Sequence, residues 1–248
     1  MWGADLPHPA FFTRNPTLNE MDLFSFSRMA AIFEKYSGHF LKGAEMALIL
    51  SLITVCCATV FGTLFALCKM SKIKPLKWIV SAYIEIFRST PLMVQVMIIY
   101  FGAAALGWKI QVPFMKDFNS FFWGLLVLIL NSSAYVAEIV RSGINAVDQG
   151  QAEAARSLGM SQTLTLKMVV LPQAFRNILP ALMNEFVAII KETSIVSLVG
   201  ISELMFCAKD VISISYRTLE PYAIAAILYF IMVSPLSKLV SYVERRMN

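Results

Sequence analysis

Long apolar runs dominate this sequence, and they restrict its fold more than any other feature. Several of them exceed the roughly 18 residues that suggest a membrane-spanning helix, and their hydrophobicity does not alternate as it does in the strands of a membrane barrel. Only 15% of the residues are charged, against about 25% in a soluble domain, and the mean hydropathy is +0.66. The sequence therefore predicts an all-α integral membrane protein.

Five membrane-spanning helices are predicted from these runs. They cover residues 43–68, 76–106, 120–141, 178–200 and 221–243. The second run is too long for one straight span of about 20 residues. Pro91 removes a backbone hydrogen-bond donor near its middle, so we expect a kink or a break there.

Lysine and arginine cluster at alternate ends of the predicted spans. The clusters follow span one, lie between spans three and four, and close the chain; they are Lys69, Lys72, Lys74 and Lys77, then Arg141, Arg156, Lys167 and Arg176, then Lys238, Arg245 and Arg246. Because cytoplasmic loops are enriched in these residues, the pattern predicts an outside N-terminus and a cytoplasmic C-terminus. It also accounts for the net charge of +5 without a nucleic-acid partner.

Residues 26–41 precede the first span, and their apolar side chains recur near helical spacing with charged ones among them. This pattern predicts an amphipathic helix at the membrane interface; a disordered lead-in is the alternative. The chain is therefore divided into an N-terminal extracytoplasmic tail with this helix, residues 1–42, and a five-helix transmembrane domain, residues 43–248.

Residues that could support a metal site or catalysis are few and scattered. Both histidines precede the first span, and three of the four cysteines fall in or beside one apolar helix; these are His8 and His39, and Cys56, Cys57 and Cys68. No group of them has the spacing of metal ligands. We therefore expect this chain to hold no metal and no cofactor, and to catalyse no reaction.

A polar, helix-forming segment separates spans three and four on the predicted cytoplasmic side. Asp148 and Gln151 have the spacing of a capping box, and the alanines that follow are strong helix formers. Gly159 is placed to end this helix in a left-handed turn. Ser161 can cap a second short helix, which Pro172 is expected to stop. The predicted product is helix, sharp turn and helix, a rigid element that a partner outside the bilayer could grip.

The run Glu153-Ala154-Ala155, with Gly159 six residues after the glutamate and Leu171-Pro172 beyond it, resembles the EAA loop of ABC importer permeases. The wider pattern resembles the polar amino acid uptake branch of that family, which includes histidine, glutamine and arginine permeases. The motifs that carry this resemblance are Phe87-Arg88-Ser89-Thr90-Pro91-Leu92 with Gln95, Ala134-Tyr135-Val136-Ala137-Glu138-Ile139 with Arg141, Leu171-Pro172-Gln173-Ala174 with Arg176, and Lys191-Glu192-Thr193-Ser194.

The resemblance implies a type I ABC importer permease of the bacterial inner membrane, which moves a polar amino acid by alternating access. Its implied partners are two ABC ATPase subunits that hold ATP and magnesium, a second permease subunit (identical or a paralogue), and an extracytoplasmic amino acid-binding protein. Residues 147–172 would form the coupling loop, with ATPase coupling carried by Glu153, Ala154, Ala155 and Gly159. This chain contains no G-x-x-x-x-G-K-[ST] phosphate-binding loop of its own.

Polar residues inside the predicted spans indicate a candidate substrate path. In span three, Asn131, Tyr135 and Glu138 recur on one helical stripe, and charges within a bilayer usually face a cavity or a partner. The predicted lining is Asn131, Ser132, Tyr135, Glu138, Asn184, Glu185 and Lys191. Because Glu138 has no obvious basic partner in the sequence, it is the candidate acceptor for the ligand's ammonium group.

Packing is the alternative role for several of these charges. Glu85 and Arg88 are three residues apart and can form a structural pair, and Lys191 can pair with Glu185 or Glu192. Two other functions stay open at this point: a stand-alone channel or secondary transporter for small polar solutes, and an intramembrane enzyme. The EAA-like loop argues against the first, and the lack of a dense His, Asp or Cys cluster argues against the second.

Overall fold

The computed structural model describes residues 24–110, 112 and 118–247, and nearly all of them are helical. The α-helices are α1 (Phe26–Met70), α2 (Lys74–Ser89), α3 (Leu92–Ala105), α4 (Phe118–Asn145), α5 (Gln149–Ser157), α6 (Gln162–Thr165), α7 (Leu171–Glu192), α8 (Leu204–Ser215) and α9 (Leu219–Met247). A π-helical turn, Leu166–Val170, joins α6 to α7, and a 3₁₀ helix, Thr193–Val199, follows α7. The prediction of an all-α protein is confirmed; the predicted tail lies largely outside the described residues.

Within the described residues, three helices are each long and apolar enough to cross a membrane: α1, α4 and α9. The pair α2–α3 qualifies as one broken span, because its halves are bent by 110° on either side of Thr90 and Pro91. The expected break at Pro91 is therefore confirmed. Helix α7, the predicted fourth span, does not qualify on composition, but it packs against α1, α4 and α9 and completes the bundle.

The predicted amphipathic helix and the first span are a single helix. Helix α1 runs for 45 residues without interruption, so the prediction of a separate helix over residues 26–41 was wrong. No proline interrupts this stretch, and Phe40 is fully buried beside Leu204 and Ala208 of α8. The N-terminal part of α1 packs on the rest of the protein because it gains this apolar contact.

Helices α1 and α4 form the most extensive contact of the bundle. Small residues at every fourth position of α1, namely Ala58, Gly62 and Ala66, are all buried there. A Cβ atom built on Gly62 would lie 2.7 Å from the Cβ of Val136 and 2.9 Å from the carbonyl oxygen of Ser133. In a lipid bilayer the hydrophobic effect does not drive helices together. Van der Waals contact between closely approaching backbones therefore supplies much of the packing energy.

Helix α8 and the turn before it were not predicted from the sequence. The Glu203 carboxylate accepts a hydrogen bond from the backbone N–H of Phe206, at 2.8 Å, and so caps α8. The Tyr229 hydroxyl donates to the same carboxyl group at 2.6 Å. Glu203 is fully buried, and this burial raises its pKa above the usual range of a carboxyl group. This residue thus ties the turn between α7 and α8 to α9.

Candidate functional site

Helix α5, the first part of the predicted coupling element, begins at its expected cap. The Asp148 carboxylate accepts a hydrogen bond from the backbone N–H of Gly150 at 2.9 Å. The Gln151 N–H donates to the Asp148 carbonyl oxygen at 3.1 Å. The acidic N-cap is confirmed, and it satisfies one of the N–H groups that a helix start leaves without an intrahelical partner.

The sharp turn after α5 is a Schellman motif. Gly159 has a φ of 87°, its N–H donates to the Arg156 carbonyl oxygen at 2.9 Å, and the Met160 N–H donates to the Ala155 carbonyl oxygen at 3.1 Å. These two bonds satisfy carbonyl groups at the end of the helix. The predicted left-handed turn is therefore confirmed, and both ends of α5 are fixed by local hydrogen bonds.

The second helix of the element does not stop where the sequence predicted. The Ser161 hydroxyl caps α6 by accepting from the Leu164 N–H at 3.3 Å, as expected, but Pro172 does not end the helix. The chain passes through the π-helical turn, in which Leu171 N–H reaches the Leu166 carbonyl oxygen, and continues as α7. Pro172 lies in the first turn of α7, where its missing N–H and fixed φ cost little. The element is thus joined rigidly to α7.

Three of the four predicted coupling residues lie on the outer surface of the element. Glu153, Ala154 and Gly159 are exposed, whereas Ala155 is buried on the inner side of α5. Sequence reasoning missed Leu158, whose side chain is 85% exposed immediately before the turn. Leu164, Leu166 and Met168 of the same element are also exposed, and several exposed apolar side chains on one element mark a candidate partner surface. In the sequence, the available signal was a leucine directly before the turn glycine.

A pair of buried amides holds the broken span in shape. Because Pro91 lacks an N–H, the Phe87 carbonyl oxygen has no helical donor. The Gln95 side-chain amide donates to that oxygen at 2.8 Å, and the Asn131 amide donates to the Gln95 side-chain oxygen at 2.8 Å. Asn131 was predicted to line the substrate path. It is only 4% exposed, and its contacts instead stabilise the break between α2 and α3.

Arg88 and Glu85, the possible structural pair, do not form an ion pair in the described part of the chain. The Arg88 guanidinium carbon instead lies 5.6 Å from the centroid of the Tyr135 ring. That distance is within the range of a cation–π interaction. The stacked arginine keeps its N–H groups available to other acceptors.

Glu138 has two basic partners, so the expectation that it lacks one was wrong. The Lys69 Nζ lies 3.1 Å from its Oε2, and Arg141 donates to its Oε1 through Nε at 2.9 Å. Arg141 is three residues further along α4, where a partner on the same face could have been recognised. Lys69 comes from the end of α1, and only the packing of α1 on α4 brings it there.

A cavity of about 380 Å³, here called the Arg88 cavity, opens beside these charges. It lies between α2, α4 and the first half of α7. The residues that matter for its chemistry are Arg88, Tyr135, Glu138, Ser142, Asn177 and Ala181. Because Glu138 is already neutralised by Lys69 and Arg141, Arg88 gives this cavity a positive charge.

A second cavity, of about 660 Å³, is called the Lys191 cavity. It lies between the end of α7, the 3₁₀ helix, α8 and α9. Its polar lining comprises Lys191, Ser194, Ser197, Lys209, Tyr222 and Tyr229. The Lys209 ammonium donates to the Ser197 hydroxyl at 2.9 Å, and the two lysines give this cavity two positive charges.

Polar residues of α7 lie between the part of the helix that lines the Arg88 cavity and the part that lines the Lys191 cavity. Asn184 is exposed, and Glu185 accepts a hydrogen bond at Oε1 from the Ser132 hydroxyl of α4, at 2.7 Å. Within the described residues, Lys191 forms no ion pair with Glu185 or Glu192 inside 4.0 Å, so the packing-pair alternative for Lys191 is not realised. The structure thus brings Ser132 of α4 and Glu185 of α7 together.

Comparison with known proteins gives one family match over most of the chain. The model of the family described as "Binding-protein-dependent transport system inner membrane component" matches residues 58–248. The chain is 39% identical over 210 residues to the arginine transport system permease protein ArtQ of Bacillus subtilis, with 84% of this chain and 92% of that protein covered. It is 41% identical over 207 residues to the putative glutamine transport system permease protein GlnP of Rickettsia conorii, with 83% and 91% covered.

Solved structures resemble the whole bundle. A crystal structure of an amino acid ABC transporter with histidines contains a chain that is 46% identical, with a TM-score of 0.81, covering 90% of this chain and 99% of that one. A chain of the inward-facing MetNI methionine ABC transporter has a TM-score of 0.67 at 19% identity, covering 87% and 99%. At that identity the second likeness supports the fold alone.

Proposed function

This chain belongs to the family of binding-protein-dependent transport system inner membrane components, and we propose that it carries a polar amino acid inward when a separate ATPase drives it. It is a type I ABC importer permease, a transport subunit rather than an enzyme. The amino acid is the proposed cargo because relatives are named as arginine and glutamine permeases. Alternating access between the two faces of the membrane is the proposed mechanism.

The observation that carries this proposal is the capped helix–turn–helix of α5 and α6. A lever must transmit force without bending, and α5 has hydrogen-bonded caps at Asp148 and Gly159. The continuous helical path from α6 into α7 joins that lever to the bundle. A groove on the ATPase would receive Leu158 and the small Ala154, and Glu153 would fix the orientation by its charge.

In this proposal the nucleotide site belongs to the partner ATPase. This chain has no phosphate-binding loop, so ATP and magnesium would bind between two ATPase subunits. Closure of those subunits would move the two α5–α6 elements together and switch the permease between its outward- and inward-open states. An extracytoplasmic binding protein would deliver the amino acid to the opposite face.

A second permease subunit is proposed because α7 exposes polar groups at the level of the membrane. Asn184 and Lys191 are exposed in the single chain, and placing a lysine against lipid near the bilayer centre costs about 2.5–3.5 kcal/mol on insertion scales. A partner subunit, either identical or a paralogue, would cover this face and leave water only along the substrate path. The exposed path residues Asn184 and Lys191 would then lie near the axis between the two subunits.

The orientation in the membrane gives a direct test of this function. A reporter fused after Asn248 is expected to report the cytoplasm, and one inserted between Gly107 and Lys109 is expected to report the outside, since the lysine and arginine clusters set this orientation. The measurement is the activity of compartment-specific reporters in intact cells. The reverse pattern would place α5 and α6 on the side without ATP, and the coupling proposal would fail.

A further inference from the structure

Arg88 differs from the other cations near the Arg88 cavity because it has no acidic partner. Lys69 and Arg141 both contact the Glu138 carboxylate. Among the described residues, by contrast, the Arg88 guanidinium donates no hydrogen bond and forms no ion pair; its recorded contact is with the ring of Tyr135. A cation inside a membrane bundle is costly and usually faces a partner or a water-filled cavity. Arg88 is therefore a candidate site for an anion.

The backbone of Arg88 lies near the middle of the membrane. The carbonyl oxygen of Phe87, the residue before it, is 3.4 Å from the Asn131 amide nitrogen, and Asn131 is midway along α4 (Phe118–Asn145). Half of a hydrocarbon core about 30 Å thick separates this level from the lipid headgroups. An anion that reaches Arg88 must therefore be small and water-soluble, which a lipid headgroup is not.

The Arg88 cavity leads from this level to the predicted cytoplasmic side. Its lining on α4 extends from Tyr135 to Ala146, and those eleven steps cover roughly 16 Å at 1.5 Å per residue. Ala146 lies two residues before Asp148, the cap of α5. The volume of about 380 Å³ falls within the range of small-molecule sites, about 300–1,000 Å³. The cavity is thus large enough for an amino acid and lies on the side where an imported ligand leaves.

We propose that the Arg88 guanidinium binds the carboxylate of the amino acid on its way out of the membrane, at an exit site in the cytoplasmic half of the permease. This inference rests on the proposed import function. A guanidinium presents parallel N–H groups that match the two oxygens of a carboxylate. Contact with the Tyr135 ring holds the guanidinium in place by a cation–π interaction and leaves those N–H groups available.

The other polar residues of the exit site suit the ammonium group of the same ligand. Ser142 and Asn177 line the cavity. The Asn177 amide nitrogen donates to the Gly143 carbonyl oxygen at 3.3 Å, so its side-chain oxygen can accept from the ammonium group. Glu138 does not hold that group strongly, because two cations already contact its carboxylate. One charged contact and neutral acceptors bind the ligand weakly enough to release it.

The test compares an amino acid with an analogue that lacks the carboxylate. The probes are L-arginine and agmatine, which is L-arginine without that group. The measurement is equilibrium binding to the purified complex of permease and ATPase in detergent, without ATP or binding protein, where both faces are accessible. We expect the wild type to bind L-arginine more tightly than agmatine. Arg88→Gln should weaken the binding of L-arginine by about tenfold or more, and agmatine should bind as before or slightly more tightly, because one positive charge is gone.

Three further variants separate charge, shape and position. Arg88→Lys keeps the charge but loses the paired N–H groups, so it should retain part of the preference for L-arginine. Tyr135→Leu keeps Arg88 but removes the ring, and should reduce the preference by a smaller factor. Lys77→Gln is the charge-matched control, because Lys77 is exposed on α2 outside the lining of the cavity; both affinities should match the wild type. Thermal unfolding and co-purification of the ATPase show that each variant is assembled, and if Arg88→Gln is not, Arg88→Lys and Tyr135→Leu decide.

Two results with Arg88→Gln would overturn the inference. An unchanged ratio of the two affinities removes Arg88 from the carboxylate site. An equal loss with both probes shows that Arg88 shapes the bundle or a subunit contact. If the wild type takes up L-glutamine but not L-arginine, L-glutamine and its carboxylate-free analogue 4-aminobutanamide replace the probes, and uptake without detectable binding of either amino acid also overturns the inference. If wild-type vesicles with ATP and binding protein take up neither amino acid, the proposed function itself fails.

Discussion

Replacing Gly159 with valine is expected to lower ATP-driven uptake by roughly five- to thirtyfold while the protein still inserts into the membrane. Gly159 has a φ of 87°, and an L-residue held in the left-handed region costs roughly 1–2 kcal/mol, which shifts the population of the correct turn by about that factor. Without the turn, Leu158 and α6 no longer have the relative positions that the proposed ATPase groove would bind. The measurement is uptake in vesicles, together with the amount of ATPase that co-purifies.

Gly159→Asn is the matched control for this variant. Asparagine adopts positive φ far more readily than valine, and no atom lies within 4 Å of a Cβ built at this position, so backbone conformation is the main difference between the two. The asparagine variant should keep most of its uptake. Equal uptake by both variants would show that the turn does not position the element.

Adding one methyl group to Gly62 is expected to destabilise the bundle, whereas the same change at Gly38 should stabilise it. Alanine replaces glycine in a helix with a gain of roughly 0.5–1 kcal/mol when there is space, and nothing lies within 4 Å of a Cβ on Gly38. At Gly62 the new atom meets Val136 and the Ser133 backbone within 3 Å. Moving α1 away from α4 to make room for this atom should lower the stability of the protein by about 1–3 kcal/mol.

The two alanine variants are compared by thermal unfolding in the same detergent. Gly62→Ala should unfold at a lower temperature than the wild type, and Gly38→Ala at the same or a higher one. Both glycines lie in α1, so a common effect on helix propensity cancels in the comparison. Shifts of the same sign and size would mean that α1 and α4 do not pack as closely as described.

Features that depend on a few neighbouring residues were readable from the sequence. The break at Pro91, the cap at Asp148 and the left-handed Gly159 each follow from the chemistry of one residue in its local context, and all three are present. The same reasoning failed at Pro172. A π-helical turn comes directly before α7, and Pro172 lies in the first turn of α7, where its missing N–H costs little. The helix therefore continues. Local rules state which bonds a proline removes; they do not state how a neighbouring turn rearranges.

Features that depend on packing between distant segments were not readable. Lys69 reaches Glu138 across 69 positions of the chain, and Asn131 reaches Gln95 across 36, so neither contact could be inferred from neighbouring residues. Helix α8 was missed because it is short and joined to the bundle through Glu203 and Tyr229. By contrast, Arg141 lies three residues after Glu138 and could have been recognised as its partner.

Uptake into sealed vesicles shows whether ATP hydrolysed by a partner drives an amino acid through this permease. The vesicles contain the permease and its co-purified ATPase, with the binding protein outside and ATP enclosed. We expect labelled L-arginine or L-glutamine to accumulate inside only when ATP can be hydrolysed and the ATPase is present. Uptake at the same rate by the permease alone, or with a non-hydrolysable ATP analogue, would contradict it.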